Sequence, residues 1–504
     1  MAGLRTSLAF SFATRYSDVA IHTISVVVLA RLLTPEELGL YAIGGALMAI
    51  GSVVGDFAVE PYLVQAPRLR RLERQTAVGL TLITGWTVGI AFLLARGTVA
   101  EFYGQPELAS VLLVMSATFF FVPLNLPILA MLRRQMMFGA LYFVMFVGKL
   151  TFALTAIALA IWGFGAMSMA WATLMQIVAM TFATMRYYTV APPCRPGYRA
   201  WRPIVAFGLT ATTTLAIHRA GMTAPALFVG RMLGIEATGL FSRAQGIAQL
   251  FYDVLLKAVE PVALPVLAGH LRDGRDLKAP YLVKTEYVSA IVWPCYAFVA
   301  LMAEPLVRVV LGLQWGGVVP IIRILCLTGV MLPFSTINGE FFVALGKQGR
   351  LLRIEAALFP LLIALIALGS LHSVEAVALA IVMGRAANAL ASNLYLSREL
   401  GYTAGEAIHA ARKSLLILGA SAVAPAAIWY GAVPASLGAI PALALATAGA
   451  AVGWLSAIFA TRHPLAGEVV HLGRRAQAIL RSIWHRYGAD DRAPPSAARQ
   501  SAKH

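Results

Sequence analysis

The feature that most constrains this chain is an internal repeat at an offset of two hundred positions. Ala58-Val59-Glu60-Pro61 recurs as Ala258-Val259-Glu260-Pro261. At the same offset, Arg31-Leu32-Leu33-Thr34-Pro35-Glu36-Glu37-Leu38-Gly39-Leu40-Tyr41 aligns with Arg231-Met232-Leu233-Gly234-Ile235-Glu236-Ala237-Thr238-Gly239-Leu240-Phe241. Both copies lie in long apolar stretches. Two related membrane bundles facing each other are therefore expected, an arrangement in which transporters rock one repeat against the other.

The 504 residues are 59% hydrophobic and only 12% charged, with a mean hydropathy of +0.77. A soluble protein carries roughly a quarter charged residues, so lipid must be the main solvent here. Met1 to Ala20 lacks a separate apolar core and a small-residue cleavage site, so no cleaved signal peptide is expected. Cys194, Cys295 and Cys326 are too scattered for a disulfide framework or a metal site, and they read as small buried hydrophobes. Neither a metal nor a cofactor is expected. The net charge of +17 lies mostly in short loops and a tail between apolar segments. That placement is an orientation signal rather than a nucleic-acid footprint.

At about 20 residues per span, the chain divides into about fourteen. The first six run near 12–33, 39–64, 77–99, 109–132, 139–162 and 166–188, and the next six near 204–230, 239–267, 286–311, 317–345, 354–371 and 374–396. Two more lie near 415–432 and 436–460. Alternate loops collect the cations, from Arg68, Arg70, Arg71 and Arg74 through Arg133 and Arg134 to Lys347, Arg350 and Arg353. The other loops hold Glu36, Glu37, Glu101, Glu107 and Glu236, with Arg231 as the exception. Basic loops face the cytoplasm, which puts both termini inside.

The fold class is thus an all-α polytopic membrane protein with about 14 transmembrane helices, two pseudo-symmetric six-helix lobes and two C-terminal helices. The lobes occupy residues 1–200 and 201–400, the two additional helices 401–460, and a basic cytoplasmic tail 461–504. The repeat copies begin at the first and seventh spans, so they run in the same direction and are related by an axis along the membrane normal. Leu465 to Tyr487 reads either as a helix on the anionic inner leaflet or as a basic tail that fixes topology. The repeated Glu-Pro reads as a helix-end or kink device, because proline removes a backbone donor.

Leu29 to Tyr41 resembles the first-loop signature of bacterial oligosaccharide flippases, the polysaccharide-transporter branch of the multidrug/oligosaccharidyl-lipid/polysaccharide exporter superfamily. Gly239-Leu240-Phe241-Ser242-Arg243-Ala244 is similar to that family's matching segment in the second half. Further likeness lies in Leu311-Gly312-Leu313-Gln314-Trp315, Pro320 to Leu325, and Phe102 to Leu108. The resemblance covers most of residues 1–400. It implies a MATE-like, V-shaped pair of six-helix lobes around a central cavity in a bacterial inner membrane. It also implies a substrate of undecaprenyl diphosphate carrying a sugar repeat unit, moved from the cytoplasmic to the periplasmic leaflet for exopolysaccharide, O-antigen or capsule synthesis. A polysaccharide polymerase or export machinery is the implied partner, with membrane lipid. Only some branches of the superfamily carry the last two spans.

Charges inside spans cost roughly 2.5–3.5 kcal/mol each, so they face an interior or a wet cavity. For a diphosphate, buried cations make chemical sense, and arginine adds bidentate donors that stay charged. The candidates are Arg219, Arg385 and Arg15 first, by depth, then Lys149, Arg243 and Arg323. Each is weighed against structural pairing and snorkelling toward a span end. Asp18, His22, Asp56, His218 and Asp253 are candidates for ion coupling, with structural pairs such as Asp18–Arg15 and Asp253–Lys257 as the alternative.

No Gly-rich phosphate loop followed by Lys-Ser or Lys-Thr is present, so transport would proceed by alternating access without ATP. A cation-coupled multidrug antiporter of the same superfamily is the rival, although its cavity should be acidic. A peptidoglycan-precursor flippase shares the diphosphate chemistry and stays open. A membrane enzyme acting on the same lipid is disfavoured, because every outer loop is short.

Overall fold

The computed structural model describes residues 21–57, 59–66, 68–187, 197–198, 201–256, 260–431, 438–471 and 474. Among them are helices and no strand. The first half contains α1 (Ile21–Leu32), α2 (Pro35–Asp56), α3 (Val59–Gln65), α4 (Arg71–Tyr103), α5 (Pro106–Ser116), α6 (Thr118–Arg134), α7 (Phe138–Ile161) and α8 (Ala166–Met185). The second contains α9 (Trp201–Met232), α10 (Ile235–Leu255), α11 (Glu260–Arg272), α12 (Lys278–Leu301), α13 (Ala303–Val310), α14 (Val318–Cys326), α15 (Thr328–Ser335), α16 (Asn338–Ala344), α17 (Gln348–Ser370) and α18 (Val374–Leu400). Two further helices follow, α19 (Ala404–Trp429) and α20 (Ala439–Ala460).

Among the described residues, ten helical stretches are long and apolar enough to cross a membrane. There are eleven if α12 and α13, which meet at 74°, count as one broken span.

Local chemistry explains the helix boundaries. Thr34 caps α2: its hydroxyl accepts the Glu37 amide at 3.2 Å, and the Glu37 carboxylate accepts the Thr34 amide at 2.8 Å. Pro35 occupies the first helical turn, where its missing N–H costs nothing. The Thr-Pro-Glu-Glu signature is therefore a helix start. Thr403 and Glu406 repeat the capping box at α19.

In both copies of the Ala-Val-Glu-Pro repeat the glutamate lies in the first turn of a helix, while Ala58, Ala258 and Val259 lie outside the described residues. α2 ends at Phe57, whose φ of 44° is left-handed, and α3 begins at Val59. α10 ends at Leu255 and α11 begins at Glu260. Glu60 pairs with Arg133, while Arg134 donates to the carbonyls of Leu63, Val64 and Ala66.

Side-chain contacts sort the loops into two ends. Glu37 lies against Gly165, and the loops near residues 31, 103, 227, 235 and 310 meet there. At the other end Glu60 meets Arg133, Lys278 meets Glu406 at 2.8 Å, and Lys347 pairs with Glu399. The acidic loops thus share one end and the basic loops the opposite one. The alternation read from charge is a spatial alternation.

The two extra helices attach to α12. Trp454 donates its indole N–H to the Ala290 carbonyl at 2.8 Å, and Ser289 and Ser414 hydroxyls meet at 2.8 Å. Beyond α20, His463 is buried with its Nε2 3.7 Å from Glu286, and Lys413 lies 3.8 Å from the same carboxylate. The Leu465 amide donates to His463 Nδ1 at 3.2 Å. Residues 465–471 are helical, and Arg475 to Tyr487 of the expected surface helix lie outside the described residues.

Burial holds the His463 imidazole below its ordinary pKa; Glu286 opposes that shift and Lys413 adds to it. The fold therefore prefers neutral His463. Its stability contribution is full above the unfolded pKa of about 6.5 and falls away as pH drops below that value. Thermal stability in detergent should decline on acidification from about pH 8 to about pH 5.5, and the decline should be shallower in His463→Gln. Parallel curves for the two proteins would remove His463 as the cause.

Candidate functional site between the two repeats

The two copies of the repeat touch each other through equivalent residues. Gly39 on α2 packs against the Ile235 carbonyl at the start of α10, and Gly239 on α10 packs against the Pro35 carbonyl at the start of α2. A Cβ at either glycine would overlap that backbone. Positions 35 and 235, like 39 and 239, are related by the repeat offset, so a local two-fold passes between the two helix starts. Glycine is required here for close approach.

Around this crossing, each half holds the end of the other half's first helix. Gln314 donates to the carbonyls of Ala30 at 2.7 Å and Leu33 at 3.0 Å, and the buried Trp315 indole donates to Ala30 at 2.7 Å. Arg31 in turn reaches the Val309 carbonyl at 2.6 Å. From the other copy, Tyr103 donates to the Leu227 carbonyl at 3.5 Å, and the Arg231 guanidinium lies 4.9 Å from the Phe102 ring centroid. The last carbonyls of a helix lack intrahelical partners. The Leu311–Trp315 motif satisfies those of Ala30 and Leu33 across the seam, and Tyr103 adds a donor to the Leu227 carbonyl.

Because Gln314 and Trp315 both serve Ala30, either alone keeps that carbonyl satisfied. Trp315→Phe should cost under about 1 kcal/mol, Gln314→Leu roughly 1–3 kcal/mol because it also removes the donor to the Leu33 carbonyl, and the double variant more than their sum, since only it orphans Ala30 as well. Thermal unfolding in detergent reads this out. Strict additivity would show that the carbonyl finds another donor.

Toward the basic end, α9 lies in the seam. It packs on α2, α3 and α4 of the first half and on α10, α17 and α18 of the second. Gly208 sits against Phe57, at the α2–α3 break. Arg219, exposed on α9, shares its electrostatic surroundings with Asp56, half-buried near the end of α2, and Glu60 lies close to the same aspartate. His218, also exposed, interacts with Glu355 of α17. On the far side Arg385, exposed on α18, lines a narrow cleft with Gln245, Gln249, Tyr296 and Thr328. Gln249 donates to Asp253 at 2.8 Å.

Arg219, His218 and Asp56 therefore come together at the seam, and Arg385 with Asp253 forms a second group on α18 and α10. Arg15 and Asp18 lie outside the described residues. His22 is exposed on α1, and Lys149 is half-buried on α7; both have partners of their own.

Two cations stand elsewhere than the cavity expected for them. Arg243 is 9% exposed, with its guanidinium 5.3 Å from the Trp315 ring centroid. It braces the seam at the acidic end, because the aromatic face compensates a cation that has left water. Arg323 donates to the Ala300 carbonyl at 3.3 Å and lies 4.5 Å from the Trp429 ring centroid. It faces the added helix α19, because α14 is rotated so that its Ile321, Ile322 and Leu325 fill the core.

Sequence reasoning passed over Gln245, Gln249 and Glu355. The spacing of Gln245, Gln249 and Asp253 was a usable signal, since residues four apart share a helix face.

Residues 28–320 match the family described as polysaccharide biosynthesis protein, which is more than half of the chain. The chain belongs to that family. It is 21% identical to the teichuronic acid biosynthesis protein TuaB of Bacillus subtilis, over 66% of this chain and 70% of that one. It is 21% identical to the lipopolysaccharide biosynthesis protein WzxC of Escherichia coli (65% and 67% covered) and 24% to the succinoglycan biosynthesis transport protein ExoT of Rhizobium meliloti (66% and 67%). The fold is similar to that of the lipid II flippase MurJ in an inward closed conformation, with a TM-score of 0.73 at 12% identity, over 90% of this chain and 98% of that one. An inward-facing multidrug resistance MATE family transporter gives 0.61 at 17% identity, over 76% and 94%.

Proposed function

We propose that this protein flips a polyprenyl-diphosphate-linked oligosaccharide from the cytoplasmic to the periplasmic leaflet of a bacterial inner membrane by alternating access. The observation that carries the reading is the two-fold crossing of Gly39 and Gly239, ringed at one end of the seam by contacts between halves. Such a contact set can form and break as one half rocks against the other. The named functions of the relatives, in teichuronic acid, lipopolysaccharide and succinoglycan biosynthesis, support a lipid-linked sugar as cargo.

The finer architecture follows. α1, α9 and α10, which carry His22, His218, Arg219, Arg243 and Asp253, are read as three more spans, bringing the total to fourteen. The basic end is the cytoplasmic one, and both termini lie there. The glycine crossing is then the periplasmic gate, here shut. Arg219 and Arg385 are exposed on helices at or near the seam, where a diphosphate would meet guanidinium donors that stay charged. Asp56, His218 and Asp253 are the groups placed to exchange an ion as the substrate phosphates come and go. No catalytic residue is assigned, and the downstream partner is whatever machinery consumes the flipped unit.

The test is ligand-induced thermal stabilisation of the purified protein, comparing a polyprenyl-diphosphate sugar with a lipophilic cation. Stabilisation by the diphosphate supports the flippase. Stabilisation by the cation alone would overturn it in favour of a drug antiporter.

A further inference from the structure

A groove of about 270 Å³ runs between α12, α14, α15 and α19, outside the seam. Its walls are apolar: Ala297, Leu327, Val330, Leu415 and Leu418 line its length. Its volume is just below the roughly 300–1,000 Å³ of drug-sized pockets, and its lining has little polar surface to orient a compact solute. At one end stands Arg323. It is five residues into α14, about 8 Å along the axis from the acidic-end start of that helix. Trp429, on which the guanidinium rests, is the last residue of α19 at the same end. Trp293 lines the groove farther in and donates to the Val330 carbonyl at 3.4 Å.

Arg323 spends its Nε on the Ala300 carbonyl, and among the described residues it forms no ion pair with a carboxylate. A guanidinium has five donors. This one therefore keeps Nη donors for an anion, at headgroup depth, above a slot for a hydrocarbon chain. A cation over an indole at a helix end, facing lipid, suits an anionic headgroup.

We propose that this groove is a binding site for an anionic phospholipid of the leaflet at the acidic end. The phosphate sits on Arg323 and one acyl chain lies along Leu327, Val330 and Leu415. The lipid joins the added helix α19 to α12 and α14, a seam that few polar contacts hold at this end. The occupant is bulk lipid, because Leu327, Val330 and Leu415 along the groove are exposed and one of its walls is the added helix α19, although Tyr296 is shared with the Arg385 cleft. The site is independent of the transported substrate.

The experiment uses the full chain in nanodiscs containing lipids brominated along one acyl chain, with Trp fluorescence as readout. Brominated phosphatidylglycerol should quench the Trp429 and Trp293 component more than brominated phosphatidylcholine, with an apparent preference of about fivefold. Trp429→Phe should remove most of that difference. Arg323→Gln should bring the preference to about one, and Arg323→Lys should retain part of it, because a point charge still pairs with phosphate. Equal quenching by both lipids in wild type, or a preference that survives Arg323→Gln, overturns the proposal. So does displacement of phosphatidylglycerol by equimolar polyprenyl phosphate, which would make the groove a substrate-tail site.

Discussion

Gly39→Ala and Gly239→Ala should each release the shut end of the seam. The added Cβ meets a backbone carbonyl, Ile235 in one case and Pro35 in the other, and a backbone cannot turn aside as a flexible side chain does. The helix starts must separate. Overpacking of this kind costs roughly 1–3 kcal/mol, which shifts a two-state population by roughly 5- to 150-fold. The cost falls only on the state in which α2 and α10 cross closely, so the equilibrium moves toward the opposite state and cargo export falls. Ala30 is fully buried beneath Gln314 and Trp315. A cysteine placed there, in a background without the native thiols, should resist a membrane-impermeant maleimide in the parent protein and label readily in Gly39→Ala. Gly45→Ala is the control on the same helix, since nothing lies within 4 Å of its Cβ position. Equal labelling in all three proteins would mean that the crossing is not a gate.

Arg219→Ala and Arg385→Ala should abolish stabilisation by a polyprenyl-diphosphate sugar while leaving the folded protein largely intact. Both side chains are exposed, so truncation orphans no buried hydrogen bond and leaves no cavity. A charge-assisted hydrogen bond contributes roughly 1.5–3 kcal/mol. Each variant should therefore weaken binding about 10- to 150-fold, and the pair more than either. Asp56 lies near Arg219, so loss of that arginine also leaves an uncompensated carboxylate facing the same anion. Arg219→Ala is expected to be the more damaging of the two for that reason. Arg323→Gln is the matched control: it removes a guanidinium of the same second half, but one facing α19. Equal loss in all three variants would point to a general effect of net charge rather than a site at the seam.

Much of the fold was legible because lipid imposes strict rules on sequence. The described helices follow the expected spans closely, as in α7, expected near 139–162 and found at Phe138–Ile161. The differences are breaks inside spans. α5 and α6 divide at Ala117, and α14, α15 and α16 divide at Leu327 and near Ile337, whose φ is 64°. Hydropathy averages over some twenty residues and cannot see one residue turning, whereas the Glu-Pro repeat announced its own helix start. Lys284 illustrates a different blind spot. It precedes the span expected near 286–311, yet it lies within α12, donates to the Pro333 carbonyl at 2.9 Å and stands 4.0 Å from the Tyr281 ring centroid. Nothing about a lysine near a span end distinguishes a wetted side chain from one turned inward.

The sequence by itself determined that the chain is a helical membrane protein with an internal repeat, loops segregated by charge and helix starts at the repeated Glu-Pro. These are properties of composition, period and proline chemistry, which hold before any helix finds a neighbour. Only the tertiary structure decided which cations share a space. Arg219, Arg243 and Arg323 look alike as intramembrane arginines, but helix rotation sends one to the seam, one onto Trp315 and one toward α19. Rotation about a helix axis is set by packing of the apolar faces, and a span that is apolar on most sides leaves that angle to its neighbours.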